Sequence, residues 1–219
     1  MDFEIAPLFY SSIISAGLAL GIAYLMLRSF RVTQRDYLLG FPIGFSFLAL
    51  SYLFFAASTA SPAAMEITRW FELFSATYGF AFIGGTYFLR RKGATGPVSH
   101  WLFSLAFLAI VVVILVEVVP PFGALPSYSV AAQIFLIVNL GLLGYIIFSL
   151  NQALKQYPHE VNFLVQVGFI LLAFGQYSVL LWTLDQGFWS LALANLFRVA
   201  GLVALLIEAA SVVTGLPRG

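Results

Sequence analysis

Long apolar blocks occupy most of this 219-residue chain. A helix needs about 20 mainly apolar residues to cross the hydrocarbon core of a bilayer, and each block reaches or approaches that length. The blocks are continuous rather than alternating in polarity, and lipid offers no water to an open backbone, so helices are favoured over a barrel. We predict seven transmembrane helices, at Pro7–Leu27, Tyr37–Ala57, Thr68–Leu89, Trp101–Val119, Ser127–Leu150, Val161–Leu184 and Phe188–Val213.

The composition agrees with an all-α integral membrane bundle. Charged residues make up 9% of the chain, whereas the surface of a soluble domain normally brings this fraction to about 25%. The loops between the blocks are short, so we expect residues 1–219 to form one seven-helix domain. The chain contains no cysteine, which excludes disulfides and thiolate metal sites. No basic region precedes the first block, which we expect to remain as a span.

Positive charges are concentrated on one predicted side of the membrane. Eight of the ten Lys and Arg residues lie there, and the exceptions are Arg69 and Arg198. Because basic loops stay in the cytoplasm, we predict a plasma-membrane protein with its amino terminus outside and its carboxyl terminus in the cytoplasm. The predicted cytoplasmic residues are Arg28, Arg31, Arg35, Arg90, Arg91, Lys92, Lys155 and Arg218.

The predicted partner is the lipid bilayer, with a membrane-protein partner or a second copy of the chain as a further possibility. With a formal charge of +1 the chain gives no support for nucleic-acid binding. Both histidines, His100 and His159, fall at predicted cytoplasmic helix ends, so neither is expected to bind metal or haem within the membrane. Small residues spaced four apart, at Gly17–Gly21 and Gly40–Gly44, allow close helix packing, either within one bundle or between copies in a homo-oligomer.

An internal similarity suggests a duplication. Gly44-Phe45 in the second predicted helix matches Gly168-Phe169 in the sixth, and the residues after them are similar. Glu72-Leu73-Phe74, with Gly79 beyond, resembles Asn195-Leu196-Phe197, with Gly201 beyond. Each pair has the same predicted direction, which favours a parallel repeat of three helices on either side of a single fourth. Chance similarity among Phe-, Leu- and Gly-rich helices is the alternative.

Arg198 is the most informative polar residue, because it lies near the middle of an apolar stretch. An arginine there costs roughly 2.5–3.5 kcal/mol on insertion scales, so it should face protein or water and have a partner. Other polar or amphipathic residues fall in the same outer half of the bundle. The predicted ligand-binding or buried polar cluster is Arg198, Glu72, Asn195, Gln176, Tyr177, Gln133, Asn139 and Trp182, and Ser11, Ser12 and Ser15 lie at a similar depth.

Three arrangements fit these residues. In the first, a polar cavity opens outward, Arg198 reaches toward Glu72, and the amides and Tyr177 complete the lining. In the second, Arg198 and Glu72 form a structural ion pair and the amides bond between helices. In the third, Arg198 contacts another subunit or a lipid headgroup. Trp182 is explained either as part of an aromatic belt or as a ring that stacks on a ligand.

Residues Arg69 to Thr77 resemble part of a microbial rhodopsin, in which an arginine precedes an aromatic residue and a counter-ion carboxylate. Phe174 and Tyr177, with Leu181 or Trp182, are similar to the wall that this family's sixth helix places against retinal. The resemblance implies that Glu72 takes the counter-ion position and Asn195 the carboxylate position of the seventh helix. The retinal-linking lysine is absent, because the corresponding residue is Val199, so retinal photochemistry is not expected.

We predict a non-enzymatic membrane protein of the sensor or receptor type that recognises a small or lipophilic ligand from the outer side. In span number and orientation it also resembles the seven-helix input regions of prokaryotic histidine kinases. Because this sequence contains only the helical region and no kinase, we expect signalling to need a separate partner. The alternatives are an accessory subunit of a membrane complex and a small-solute transporter. We expect no covalent cofactor, although a bound lipid or lipophilic pigment is compatible with the sequence. The sequence offers neither paired carboxylates nor a nucleophile–base set at usable spacing, so we do not expect an enzyme.

Overall fold

The structure, a computed structural model, is helical throughout the part of the chain that it describes. The described residues are 5–33, 36–60, 65–91, 128–156 and 163–214. They form one 3₁₀ turn, Asp36–Leu39, and six α-helices that we number in chain order. These are α1 (Ile5–Thr33), α2 (Gly40–Ala60), α3 (Met65–Arg91), α4 (Tyr128–Gln156), α5 (Phe163–Asp185) and α6 (Phe188–Thr214).

Five of these helices, all except α3, are long and apolar enough to cross a membrane. By the length and composition of its helices, the chain is a multi-pass membrane protein. α3 has a similar length, but charged side chains at both ends and several glycine and hydroxyl residues lower its hydropathy. The prediction of seven spans is not confirmed, since five candidates are found and the predicted span Trp101–Val119 lies outside the described residues.

The helices differ from the predicted apolar blocks mainly at their ends. α1 continues to Thr33 instead of Leu27, and α4 continues to Gln156 instead of Leu150. Hydropathy marks the part of a helix that contacts lipid, whereas backbone hydrogen bonding carries the helix further into polar sequence. α2 begins at Gly40, later than predicted, because the preceding residues form the 3₁₀ turn. Pro42 therefore lies in the first turn of α2, where proline is tolerated.

The six described helices pack as a closed ring. Each helix contacts the next one in the chain, and α6 returns to contact α1. Large apolar side chains fill the interior, among them Phe45, Phe80 and Phe169, each 2% exposed or less. Other large apolar side chains point outward, as expected for a surface that faces lipid. They include Leu20, Ile67, Ile137, Phe148, Leu196 and Ile207.

Two pairs of helices approach each other through glycines in the same way. A Cβ on Gly44 would lie 2.7 Å from the carbonyl oxygen of Gly79, and one on Gly168 would lie 3.1 Å from that of Gly201. The absence of these side chains lets the backbones of α2 and α3, and of α5 and α6, come into contact. Each pair is antiparallel, because Gly79 also meets Leu48 while Gly44 meets Ile83.

These contacts correct the alignment of α3 with α6 that the sequence suggested. Gly79 and Gly201 occupy matching places in their helix pairs, and Leu73 and Asn195 both lie six residues before them. Asn195 therefore corresponds to Leu73 rather than to Glu72. Short polar and apolar segments are too similar in this chain for sequence matching alone to fix the register to one residue.

Helices α3 and α4 run parallel. Phe74 packs edge-on against Phe135 at 5.0 Å between ring centroids, and a Cβ on Gly84 would lie 3.7 Å from Tyr145. From the first contact to the second, the residue number rises by ten in both helices, so the two helices run in the same direction. The end of α3 and the beginning of α4 consequently lie at opposite ends of the bundle. α1 and α6 are also parallel, with Ser11 beside Asn195 and Gly21 beside Leu206.

Candidate functional site: a polar cavity beside Arg198

Arg198 lies ten residues into α6, about 15 Å along the helix from its beginning. Its Nη2 donates hydrogen bonds to the hydroxyl oxygens of Ser11, at 3.4 Å, and Ser12, at 3.3 Å. It also donates to Oδ1 of Asn195, one turn earlier on α6. The guanidinium is thus attached to α1 through neutral hydroxyl oxygens, which accept hydrogen bonds from it without cancelling its charge.

The groups around the guanidinium are themselves held in place. Ser11 donates a hydrogen bond of 2.9 Å to Oδ1 of Asn195, and the amide nitrogen of Asn195 donates to the carbonyl oxygen of Leu191. Ser12 donates to the carbonyl oxygen of Leu8. The Tyr52 ring lies under the cation, with its centroid 4.9 Å from Cζ of Arg198, in cation–π geometry. These contacts fix the guanidinium between α1, α2 and α6.

On its other side, Arg198 faces a cavity of about 50 Å³. A water molecule needs about 10–15 Å³ on this scale, so roughly three to five water-sized groups fit. We call it the polar cavity. It is lined by Ser51, Tyr52, Glu72, Leu73, Ala76, Leu136, Asn139, Leu172, Gly175, Gln176, Val179, Ala194 and Arg198, which come from α2, α3, α4, α5 and α6.

The lining of the polar cavity contains five buried polar atoms that have no hydrogen-bond partner among the described residues. Buried polar groups in native proteins are nearly always paired, and leaving one unpaired costs roughly 1–3 kcal/mol. Five such atoms around one cavity leave donors and acceptors for a partner that the described helices do not supply. The atoms are the Tyr52 hydroxyl, Glu72 Oε2, Asn139 Oδ1, Gln176 Oε1 and Arg198 Nε.

The relation between Glu72 and Arg198 differs from a closed ion pair. Both side chains line the polar cavity, and their charges attract each other. The hydrogen bonds of the guanidinium go to Ser11, Ser12 and Asn195, while Oε2 of Glu72 has no partner in the part of the chain that the structure describes. The cation and the carboxyl group therefore both face the cavity without neutralising each other directly.

The structure brings together only part of the predicted polar cluster. Glu72, Asn139, Gln176 and Arg198 line the cavity, and Asn195 supports the guanidinium from behind. Three predicted residues are not part of the lining: Gln133, Tyr177 and Trp182. Tyr177 is 49% exposed on the outside of the bundle, since it follows Gln176 by one residue and a helix turns about 100° per residue.

Tyr52 is the main contributor that we did not predict from the sequence. It stands among mostly apolar residues. The sequence alone does not indicate whether its hydroxyl points into the bundle or toward lipid. Ser11 and Ser12 were placed at the correct depth but not assigned to the guanidinium. Their spacing relative to Arg198 becomes meaningful only once α1 is known to lie beside α6.

Lining residues from α2 and α3 correspond to lining residues from α5 and α6. Ser51 and Tyr52 follow Gly44 by the same intervals at which Gly175 and Gln176 follow Gly168. Glu72 and Ala194 precede their glycines by seven residues, and Ala76 and Arg198 precede them by three. All eight residues line the polar cavity. The two charges come from non-equivalent positions, which gives the cavity one acidic side and one basic side.

Within the described ranges, no group of three or more His, Cys, Asp or Glu side chains is placed to hold a metal ion. Comparisons with family models, with curated proteins and with solved structures find no match for this chain. The resemblance to microbial rhodopsins therefore rests on features of the sequence alone. Function has to be inferred from the geometry of the polar cavity.

Proposed function

We propose that this chain is a seven-helix membrane protein of the sensor or receptor type that recognises a small polar ligand in the polar cavity. The observation that carries the proposal is the set of five buried polar atoms around one cavity that have no partner within the described helices. A ligand that pairs with them recovers the free energy that their burial costs, so binding at this place is favoured. Occupancy could then alter the packing of the five helices that meet there.

The parallel packing of α3 and α4 supports the seventh span. The end of α3 and the beginning of α4 lie at opposite ends of the bundle, and one further span between them would join these two ends. The apolar sequence Trp101–Val119 is predicted to make this crossing and lies outside the described residues. With this crossing, and with α3 counted as a span, the proposed bundle has seven spans.

The basic residues support an outward-facing cavity. Arg28 and Arg31 lie near the end of α1, and Lys155 lies near the end of α4. The lining residues of α3, α4 and α6 lie nearer the beginnings of those helices, at the opposite end of the bundle. Since basic ends stay in the cytoplasm, the polar cavity belongs to the outer half of the membrane.

A purely structural role for the polar residues is less well supported. A structural ion pair would bring Glu72 and Arg198 into direct contact, because two buried charges offset their desolvation only when they are closely paired. Here the guanidinium bonds to neutral side chains, and the carboxyl group keeps an unpaired oxygen. This arrangement leaves both groups available to a third molecule.

Thermal unfolding of the purified protein in lipid nanodiscs tests the proposal. We expect at least one compound from a panel of amino acids, amines, carboxylates, polyols and sugars to raise the unfolding temperature saturably. The effect should disappear in Arg198→Gln and Glu72→Gln. Ser149→Ala is the matched control, because its hydroxyl is also buried and unpaired but does not line the cavity. If no compound acts, recognition is wrong and an accessory subunit becomes the better assignment.

Transport is a second candidate, and the correspondence between the two halves of the lining favours it. Parallel repeats in transporters place the substrate site between the two halves, which rock against each other. Helices α2 and α3 contribute one half of the matching lining, and α5 and α6 contribute the other. Flux of a bound ligand into proteoliposomes, lost in Arg198→Gln, would favour transport, whereas binding without flux would favour sensing.

A further inference from the structure

The unpaired polar atoms of the cavity divide into two sets by their role in hydrogen bonding. Glu72 Oε2, Asn139 Oδ1 and Gln176 Oε1 are acceptors. Arg198 Nε carries a proton that it can donate, and the Tyr52 hydroxyl can also donate. A primary ammonium group has three N–H donors, and a carboxylate has two oxygens that accept. The cavity therefore offers a matching set of partners for each of these two groups.

The charges of the lining point to the same chemistry. Glu72 supplies the carboxyl group of the lining and Arg198 its guanidinium, so their formal charges sum to zero when both groups are ionised. A ligand with a net charge would add an uncompensated charge to a low-dielectric site, which is unfavourable. A ligand with both charges adds none and gives each protein group an opposite partner.

The size and shape of the cavity restrict the ligand to a short molecule. The volume of about 50 Å³ accommodates roughly three to five water-sized groups. Apolar side chains close the remaining walls, among them Leu73, Leu136, Leu172 and Val179. A bulky substituent would have to displace these groups.

From these observations we propose that the polar cavity binds a short zwitterion with a primary ammonium and a carboxylate, the chemistry of glycine, alanine or β-alanine. The ammonium bonds to Glu72, Asn139 and Gln176, and the carboxylate bonds to Arg198 and Tyr52. This inference rests on the proposed function and names the class of its ligand. A zwitterionic lipid headgroup with a primary ammonium shares the same chemistry and is the second source of such a ligand.

Calorimetric titration of the protein in phosphatidylcholine nanodiscs tests the inference. The probes are glycine, L-alanine and β-alanine, with ethylamine, acetate and acetamide as compounds that lack one or both charges. We expect saturable binding of at least one amino acid, and affinities at least tenfold weaker for ethylamine, acetate and acetamide. The choline headgroup serves as background because its ammonium has no N–H to donate.

Two variants give a readout that a loss of folding would not produce. Glu72→Gln leaves the cavity with a net positive charge, so acetate should bind more tightly than to the wild type while the amino acid weakens at least tenfold. Arg198→Gln leaves a net negative charge, so ethylamine should bind more tightly than to the wild type. The amino acid should again bind more weakly. Ser149→Ala should leave every affinity within twofold, because Ser149 does not line the cavity.

The outcomes separate this inference from the proposed function. If acetamide, ethylamine or acetate binds as tightly as the amino acids or more tightly, the ligand is not a zwitterion, and recognition of a small ligand remains intact. No binding of any probe, together with no thermal shift in the wider panel, would overturn both. Loss of glycine binding in phosphatidylethanolamine nanodiscs would support the zwitterion class and assign the lipid headgroup as its source.

Discussion

Gly79 lies against Gly44 so closely that a Cβ on Gly79 would stand 2.9 Å from the carbonyl oxygen of Gly44 and 2.8 Å from Cγ of Leu48. Real side chains essentially never approach at such distances, so α2 and α3 would have to separate. We expect Gly79→Ala to destabilise the protein by about 1–3 kcal/mol, as overpacked cores usually do. Thermal unfolding in detergent is the measurement.

The chain provides a matched control for this substitution. Gly141 lies in the middle of α4, where an added Cβ would meet nothing within 4 Å. Gly141→Ala should therefore be neutral, or stabilising by up to about 1 kcal/mol because alanine favours helix. Equal loss of stability in Gly79→Ala and Gly141→Ala would show that the close contact between α2 and α3 does not hold.

A second prediction concerns the coupling between Arg198 and Glu72, which face one cavity without a direct hydrogen bond. Arg198→Met removes the cation and should destabilise the protein by about 1–3 kcal/mol, because Glu72 then lacks its opposite charge across the cavity. Glu72→Gln should largely rescue that loss. A double-mutant cycle measured by unfolding should give a coupling free energy of about 1 kcal/mol or more.

Strict additivity in this cycle would contradict the assignment of Glu72 and Arg198 to one electrostatic unit. Gln133→Leu combined with Arg198→Met is the comparison, because Gln133 lies on α4 but does not line the cavity. Its effect should add to that of Arg198→Met within about 0.5 kcal/mol.

The sequence predicted the helical nature of the fold because apolar block length depends on membrane thickness and not on tertiary packing. It also indicated Arg198, since a charge in an apolar block stands out without any structural knowledge. Gly44, Gly79, Gly168 and Gly201 were recognised from their spacing and local sequence, but the register between α3 and α6 was set one residue away. A one-residue change rotates a side chain by about 100°, which decides whether it faces the cavity.

Which residues line the cavity could not be predicted from the sequence for the same reason. Gln176 and Tyr177 are neighbours in sequence, yet Gln176 lines the cavity and Tyr177 is half exposed. Tyr52 lines the cavity too, although its sequence neighbours are mostly apolar. Which face of a helix turns inward depends on its contacts with two neighbouring helices, and these contacts are properties of the packed ring.

A third prediction concerns the turn between α5 and α6. Gln186 has a φ of 50°, in the left-handed region, and its N–H bonds to the carbonyl oxygen of Trp182 at the end of α5. Glycine is favoured at such a position, because a side chain there is strained. Gln186→Gly should stabilise the protein by about 0.5–1 kcal/mol and Gln186→Val should destabilise it. The opposite order in thermal unfolding would show that the turn has another conformation.

A fourth prediction separates the two roles of Tyr52. Tyr52→Phe keeps the ring under the guanidinium and removes the unpaired hydroxyl, so stability should be unchanged or slightly higher while ligand affinity falls. Tyr52→Leu removes the ring and should cost about 1–2 kcal/mol in stability through the lost cation–π contact. Unfolding and calorimetry of both variants provide the comparison. If Phe and Leu are equally destabilising, the ring does not stabilise the guanidinium.

The orientation of the bundle gives a fifth prediction, which the absence of cysteine in the chain makes simple to test. Gln186 is exposed between α5 and α6, and Lys155 is exposed in the last turn of α4, at the opposite end of the bundle. With the cavity facing outward, a membrane-impermeant maleimide should label Gln186→Cys in intact cells and label Lys155→Cys only after permeabilisation. The wild type is the unlabelled control. The reverse labelling pattern would place the polar cavity on the cytoplasmic side, and the ligand would then have to come from inside the cell.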